Sequence, residues 1–354
     1  MPAYRRSLFA LTLLSALTSS LKAESPRITS ISDVAFSSSG ESLGASPCLE
    51  ETAAGCCSTC KPLGRGLFAP EPHGARTLFR WNVEGDEETE PFCPFNEPLV
   101  GDRPDFTEAS STVGKGVLQI ESGYTYVYDS EAGVVSQSHV YPEILVRLGM
   151  IANWFEFRFG YTYTNITEDE PGAFTSLNGS EDIYLGAKLM LTEQRGLLPE
   201  MTILPQMTIP TGSPSLTNKQ VLPGVNWLYS WAVNDLVAVA GSTQINRSFQ
   251  DAFTFFDPGS GGLGPINVDP EYHTEFAQSA TAGFSLIEDK LGAFTEWFAL
   301  VPVAANGGER TQHYFDGGFT YLVNNNLQFD IRVGVGLNEA SDDFFTGTGA
   351  IARF

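Results

Sequence analysis

From residue 116 to its end, this chain alternates apolar with polar or small residues along stretches too long for an ordinary soluble strand. In one stretch Phe155, Phe157, Phe159, Tyr161 and Tyr163 fall on one face, and Glu156, Arg158, Gly160, Thr162 and Thr164 on the other. In a second, Leu327, Phe329, Ile331, Val333, Val335 and Leu337 alternate with Gln328, Asp330, Arg332, Gly334, Gly336 and Asn338. Successive side chains of a strand point to opposite faces, so each stretch has one oily face and one charged or bare face. A soluble sandwich alternates too, but its strands average about 5–6 residues, whereas a tilted membrane-spanning strand needs about 9–11. No later segment supplies the roughly 20 apolar residues of a spanning helix. In hydrocarbon a closed barrel is then the one fold that satisfies every backbone group.

Twelve such segments run over residues 116–129, 138–149, 154–166, 181–191, 200–210, 220–231, 236–246, 274–287, 291–301, 311–322, 327–337 and 343–354. The expected fold is an all-β, antiparallel transmembrane barrel of twelve strands, and Pro205 inside the fifth demands a bulge or local distortion. Connectors alternate between short (150–153, 192–199, 233–235, 288–290, 323–326) and long (130–137, 171–180, 211–219, 247–273, 303–310). Bacterial barrels carry short turns on the periplasmic side and long loops outside. An even strand count with this parity puts both barrel ends on the short-turn side, and so places the preceding segment in the periplasm. The last strand ends at Phe354, and Gly349, Ala352 and Phe354 have the spacing of the C-terminal signal that the barrel-assembly machinery reads.

The chain opens with Arg5 and Arg6, an apolar run at 8–17 and small residues up to Ala23, which reads as a secretory signal peptide over 1–23. Residues 24–110 form a second unit, rich in Ser, Gly, Pro and Glu and without sustained periodicity before about Gly101, so little regular structure is expected. The barrel unit covers 111–354. All five cysteines, Cys48, Cys56, Cys57, Cys60 and Cys93, lie in the N-terminal region. In an oxidising compartment they are disulfide candidates. Cys57 and Cys60 have ligand-like spacing, but no second such pair or nearby His pair completes a zinc set, and Lys61 stands where a haem attachment motif has His. No metal or other cofactor is expected.

With the oily faces toward lipid, the lumen receives Glu121, Glu143, Arg147, Glu156, Arg158, Asp182, Lys188, Glu296, Asp316, Asp330, Arg332 and Arg353. Both signs are present, so these charges either pair across the bore or line a narrow water-filled path, because an isolated ion in a low-dielectric space costs several kcal/mol. The net charge of −22, from 42 acidic and 20 basic residues without a basic cluster, argues against nucleic acid. Catalysis lacks its parts: Gly-x-Ser-x-Gly is absent, and His73, His139, His273 and His313 sit in no nucleophile motif. The partners expected are outer-membrane lipid, the barrel-assembly machinery and small solutes.

The string Gly101-Asp102-Arg103-Pro104-Asp105-Phe106-Thr107-Glu108, leading through Gly116 into 118–126, is more specific than anything above. It resembles the opening of the outer-membrane transporter family of the phenol-degradation meta-pathway, and the resemblance runs from about Gly101 to Phe354. The resemblance implies an outer-membrane barrel that passes small, often aromatic, compounds. Physically, Pro104 fixes an extended approach, and the charges of Asp102, Arg103, Asp105 and Glu108 suit a plug that enters the bore and pairs with lumen charges such as Arg353 or Glu121. The function expected is a channel for passive or gated passage of small solutes. The alternatives are a non-conducting barrel that anchors its N-terminal segment or presents its loops, the one at 247–273 above all, and a secreted soluble β-sandwich.

Overall fold

The computed structural model describes residues 66–69, 75–79, 93–131, 133–250, 253–255, 266–268, 271–303 and 310–354. The signal-peptide reading and four of the five cysteines (Cys48, Cys56, Cys57 and Cys60) fall outside these residues, and Cys93 is buried. Single 3-10 turns occupy Gly66–Phe68 and Pro94–Asn96, and no helix among the described residues is long and apolar enough to cross a membrane.

The strands are β1 (Leu118–Glu131), β2 (Val134–Gly149), β3 (Phe155–Glu170), β4 (Ala173–Ser180), β5 (Ile183–Thr192), β6 (Glu200–Ile209), β7 (Leu222–Asn234), β8 (Val237–Gln250), β9 (Phe253–Phe255), β10 (Ile266–Val268), β11 (Glu271–Ile287), β12 (Leu291–Val303), β13 (Gln312–Asn324), β14 (Leu327–Gly336) and β15 (Phe344–Arg353). Except for the small β9–β10 hairpin they form one antiparallel sheet, closed by β1 pairing with β15 from Gln119↔Arg353 to Tyr128↔Phe344. β4 and β5 follow one another along β3 and share one place in the wall, so thirteen strands make a closed barrel of twelve positions. Closure leaves the spanning wall without a free edge, and among the strands of this sheet β4 alone pairs on one side only.

All twelve expected strands are present, and the differences lie at the long-loop end. Residues 130–137 and 171–180 were expected as loops, yet β1 and β2 stay paired to Glu131↔Val134 and β3 and β4 to Glu170↔Ala173. Their polar, charged composition suppresses the apolar alternation that marks a lipid-facing strand, but it does not prevent backbone pairing beyond the membrane. Gly133 (φ 88°) and Gly172 (φ 94°) supply the left-handed turn positions that close these hairpins. Opposite Pro205 the ladder to β5 lapses between Gly186 and Leu189, while the ladder to β7 runs through Pro205↔Val225. The missing proline N–H is thus confined to one neighbour.

The barrel is apolar outside and polar inside. Phe329, Ile331, Val333, Val335 and Leu337 are all exposed, Ile331 at 54%, whereas Gln328 and Asp330 between them are buried. A continuous exposed apolar belt of this kind suits lipid and is foreign to a soluble monomer. Glu121, Arg147, Glu156, Arg158 and Lys188 are among the most completely buried side chains, each 0–1% exposed.

Candidate functional site

What buries those charges is the chain's own N-terminal segment. Residues 93–117 enter at the short-turn end and lie within the bore. At the mouth, Leu99 donates its N–H to Asn325 O, and Arg353 donates to Glu97 O and Asn325 O while its guanidinium covers the Phe95 ring. Farther in, Val100 O accepts from Gln119 and Arg147.

The motif at 101–108 makes the central contacts. The N–H groups of Asp102 and Arg103 both donate to the Glu121 carboxylate at 3.1 Å. The Asp102 carboxylate receives Lys188 Nζ at 2.7 Å, Arg158 at 2.7 Å, Arg147 Nε at 3.3 Å and its own segment's Ala109 N–H at 2.9 Å. Burial opposes ionisation of Asp102, but Arg147, Lys188 and Arg158 outweigh it and hold this carboxyl well below the usual range. Arg147 in turn binds Glu156 at 2.8 Å, and Arg158 binds Glu108 at 2.7 Å.

Arg103 points to the adjoining stretch of wall, from β2 to β14. Its guanidinium reaches Glu143 at 2.7 Å, Asp330 at 3.6 Å and Thr348 O at 3.2 Å. The strand register explains the fit: Glu143, Gly123, Gly349 and Asp330 are successive cross-strand partners on β2, β1, β15 and β14, an acid–Gly–Gly–acid row. A Cβ on Gly123 would lie 2.1 Å from the guanidinium carbon and one on Gly349 would lie 2.4 Å from Nε, so only two bare positions leave room for the arginine.

The second half of the motif is fixed to the far side of the barrel. Phe106 N–H and Thr107 N–H donate to Glu296 at 2.6 and 2.8 Å, the Thr107 hydroxyl also donates to Glu296, and it meets Ser279 Oγ at 2.6 Å. Burial, with Glu296 and Asp316 close by, pushes Asp105 well above the usual carboxylate range. Ser110 contacts Glu200 and Ser230, its carbonyl accepts from Thr202, and Val113 N–H donates to Glu156. Wall strands on every side of the barrel therefore hold one segment.

Beyond this segment, toward the long-loop end, lies a vestibule of about 510 Å³. Its floor is aromatic: the Phe106 ring stacks on Phe298 at 4.5 Å, Phe298 stacks on Tyr314 at 4.8 Å, and Phe345 packs edge-on to Tyr314. Arg332 lies over Phe345 and donates to Thr125, and Asp129, Glu181, Glu275 and Asp342 are spaced around the wall.

Most of the residues expected in the lumen face the plug or the vestibule, with two departures. Asp182 does not face the plug; at the β4–β5 break its carboxylate accepts from Gly212 and Asn218 N–H and holds the β6–β7 loop. Arg353, at the last inward position of β15, binds the Asn326 side chain and the carbonyls of Asn325 and Glu97, so it meets the plug at its entrance and not at the motif of 101–108. Sequence reasoning missed the holders Glu200, Thr202, Asn226, Ser230 and Ser279, and the role of Gly123 and Gly349. The inward parity of β1 and β15 marks both glycines, yet nothing in the sequence pairs them with Arg103. His139 bonds Tyr124 OH at 2.8 Å and His313 stacks on Trp297. Among the described residues no group of His, Cys, Asp or Glu is arranged to hold a metal ion.

The family model described as "Putative MetA-pathway of phenol degradation" matches residues 101–354, from the first glycine of the plug motif to the C-terminus. Among solved structures, the chain is similar to an outer membrane channel from Pseudomonas putida F1, with 11% identity, a TM-score of 0.52, and coverage of 71% of this chain and 99% of that one. The translocator domain of the autotransporter NalP from Neisseria meningitidis also matches, with 13% identity, a TM-score of 0.45, and coverage of 68% and 89%. At 11% identity the likeness to the Pseudomonas putida F1 channel speaks for the fold alone. No curated protein sequence matches the chain.

Proposed function

We propose, from the premise that this chain belongs to the phenol-degradation MetA-pathway family, that it is a plugged outer-membrane conduit for small solutes, aromatic ones included. The observation that carries this reading is the division of the bore. Residues 93–117 occupy its short-turn half, and a vestibule of about 510 Å³ with an aromatic floor remains open in the other half. That volume suits a single-ring compound, and stacked rings favour an aromatic guest. The description of the Pseudomonas putida F1 neighbour as an outer membrane channel agrees with this reading. In the same reading a signal peptide directs export, the assembly machinery inserts the barrel through its C-terminal strand, and the plug approaches from the periplasm. A solute held in the vestibule passes when the plug shifts.

The density of plug contacts favours one second reading, a barrel that stays closed and serves as an anchor. Efflux of phenyl glucoside, a neutral aromatic that crosses lipid slowly, separates the two. Vesicles carrying the protein should release it faster than protein-free vesicles, and vesicles carrying a variant without residues 24–110 faster still. Release no faster than from protein-free vesicles in both cases would leave the anchor.

A further inference from the structure

The vestibule wall carries a charge pattern that its aromatic floor does not require. Asp129 on β1 and Asp342 before β15 lie side by side on paired strands, Glu181 at the β4–β5 break and Glu275 on β11 project from other parts of the circumference, and among the described residues Arg332 is the single cation in the lining. Among the described residues none of the four carboxylates makes an ion pair. Glu181 accepts from the Thr164 hydroxyl and Asp342 from the Tyr314 hydroxyl, contacts that orient the carboxylates without neutralising them. Arg332 is drawn down to the floor, where it covers Phe345 and bonds Thr125. At the plug, by contrast, Asp102 and Glu108 meet cations, and Glu121 and Glu296 meet clusters of N–H donors.

Four carboxylates against one guanidinium, in a partly enclosed space with low-dielectric walls, create a negative potential that concentrates cations and repels anions. The floor rings add a favourable site for a cation, since aromatic faces attract positive charge. We infer that the vestibule selects aromatic solutes by charge, binding a ring that bears a protonated or quaternary amine in preference to an isosteric neutral ring, and rejecting an aromatic carboxylate. This deepens, and rests on, the reading of the vestibule as the solute-binding half of the conduit.

The test uses the full-length protein in zwitterionic detergent micelles and three matched probes: benzyltrimethylammonium, benzyl alcohol and benzoate. Titration calorimetry, corrected for partition into empty micelles, should give binding of the cation at least tenfold tighter than that of benzoate, with benzyl alcohol between them. The margin should shrink as salt rises from 50 to 500 mM, and the double variant Asp129→Asn, Glu275→Gln should reduce it severalfold while retaining benzyl alcohol affinity. Benzoate binding as tightly as the cation overturns the charge selection and leaves the conduit reading standing. Failure of all three probes to bind overturns the vestibule as a solute site altogether. A double variant with an undiminished margin assigns the preference to other groups and overturns the inference for these carboxylates.

Discussion

Arg103 lies against a strip of wall from which two side chains are missing, with Glu143 and Asp330 at its ends. Replacing Gly349 with Val places a branched side chain where the guanidinium now lies, so the arginine has to leave both acids. Full-length Gly349→Val should fold as a barrel yet expose the 93–117 segment to protease, and a cleavage rate equal to wild type would contradict this role. On the adjoining strands β2, β3 and β5, Asp102 gathers Arg147, Arg158 and Lys188 around one carboxylate. Removing one partner of a buried ion network typically costs about 3–5 kcal/mol. Asp102→Ala should lose stability of that order in urea titrations of the refolded protein, and an unchanged midpoint would count against the network. Asp105 and Asp102 respond to pH in opposite directions. Asp105 is held well above its ordinary value of 3.8, so the seated plug is favoured while this carboxyl stays protonated and loses stability as pH rises through the raised value. Asp102 is held below 3.8, so its contribution is complete above that value and is lost only as pH falls well under it. Ionisation of Asp105 thus loosens the plug, and single-channel conductance should rise as pH is raised through the range where this carboxyl ionises. Asp105→Asn should flatten that dependence, and an unaltered pH profile in this variant would exclude Asp105 as its source.

At the scale of strands, the outward face of β14 is the clearest lipid contact. Ile331, 54% exposed near the middle of β14, should tolerate Leu or Phe, whereas Ile331→Arg should cost about 2–4 kcal/mol in a bilayer, as cations at the midplane of barrel walls do. Urea unfolding in lipid vesicles measures this, and a cost below about 0.5 kcal/mol would place this face away from hydrocarbon. The strands were legible in the sequence because lipid on one side and water or plug on the other impose a period of two on every residue that crosses. The extensions of β1–β4 beyond the membrane were not legible, because hydrogen bonds hold them together while their side chains follow no such rule. The plug motif stood out as a charged string around Pro104, and Glu121 was readable among its partners, but most of the others were not. Arg103 meets Glu143, Gly123, Gly349 and Asp330 through cross-strand register among four strands, which no local pattern encodes. The same reasoning explains Asp182 and Arg353. Their inward parity was readable, but their distance along the barrel axis from the motif at 101–108 was not.

The whole molecule inverts a soluble protein: its hydrophobic surface faces out, and its interior is a network of ions and hydrogen bonds built around a segment of its own chain. The described apolar clusters are small, Ile166 with Leu177 and Leu216, and Phe298 with Tyr314 and Phe345. The second is the vestibule floor, so the site of proposed solute contact and the upper face of the plug are one structure joined through Phe106. Anything that displaces the motif at 101–108 therefore changes the floor and opens the bore together. Planar-bilayer recording tests this coupling most directly, by comparing the full-length chain with the variant lacking residues 24–110 at one pH and salt concentration. The account predicts small or rare current steps for the full chain and steady steps several times larger once the segment is gone. Equal conductance from the two proteins would mean that this segment does not close the bore.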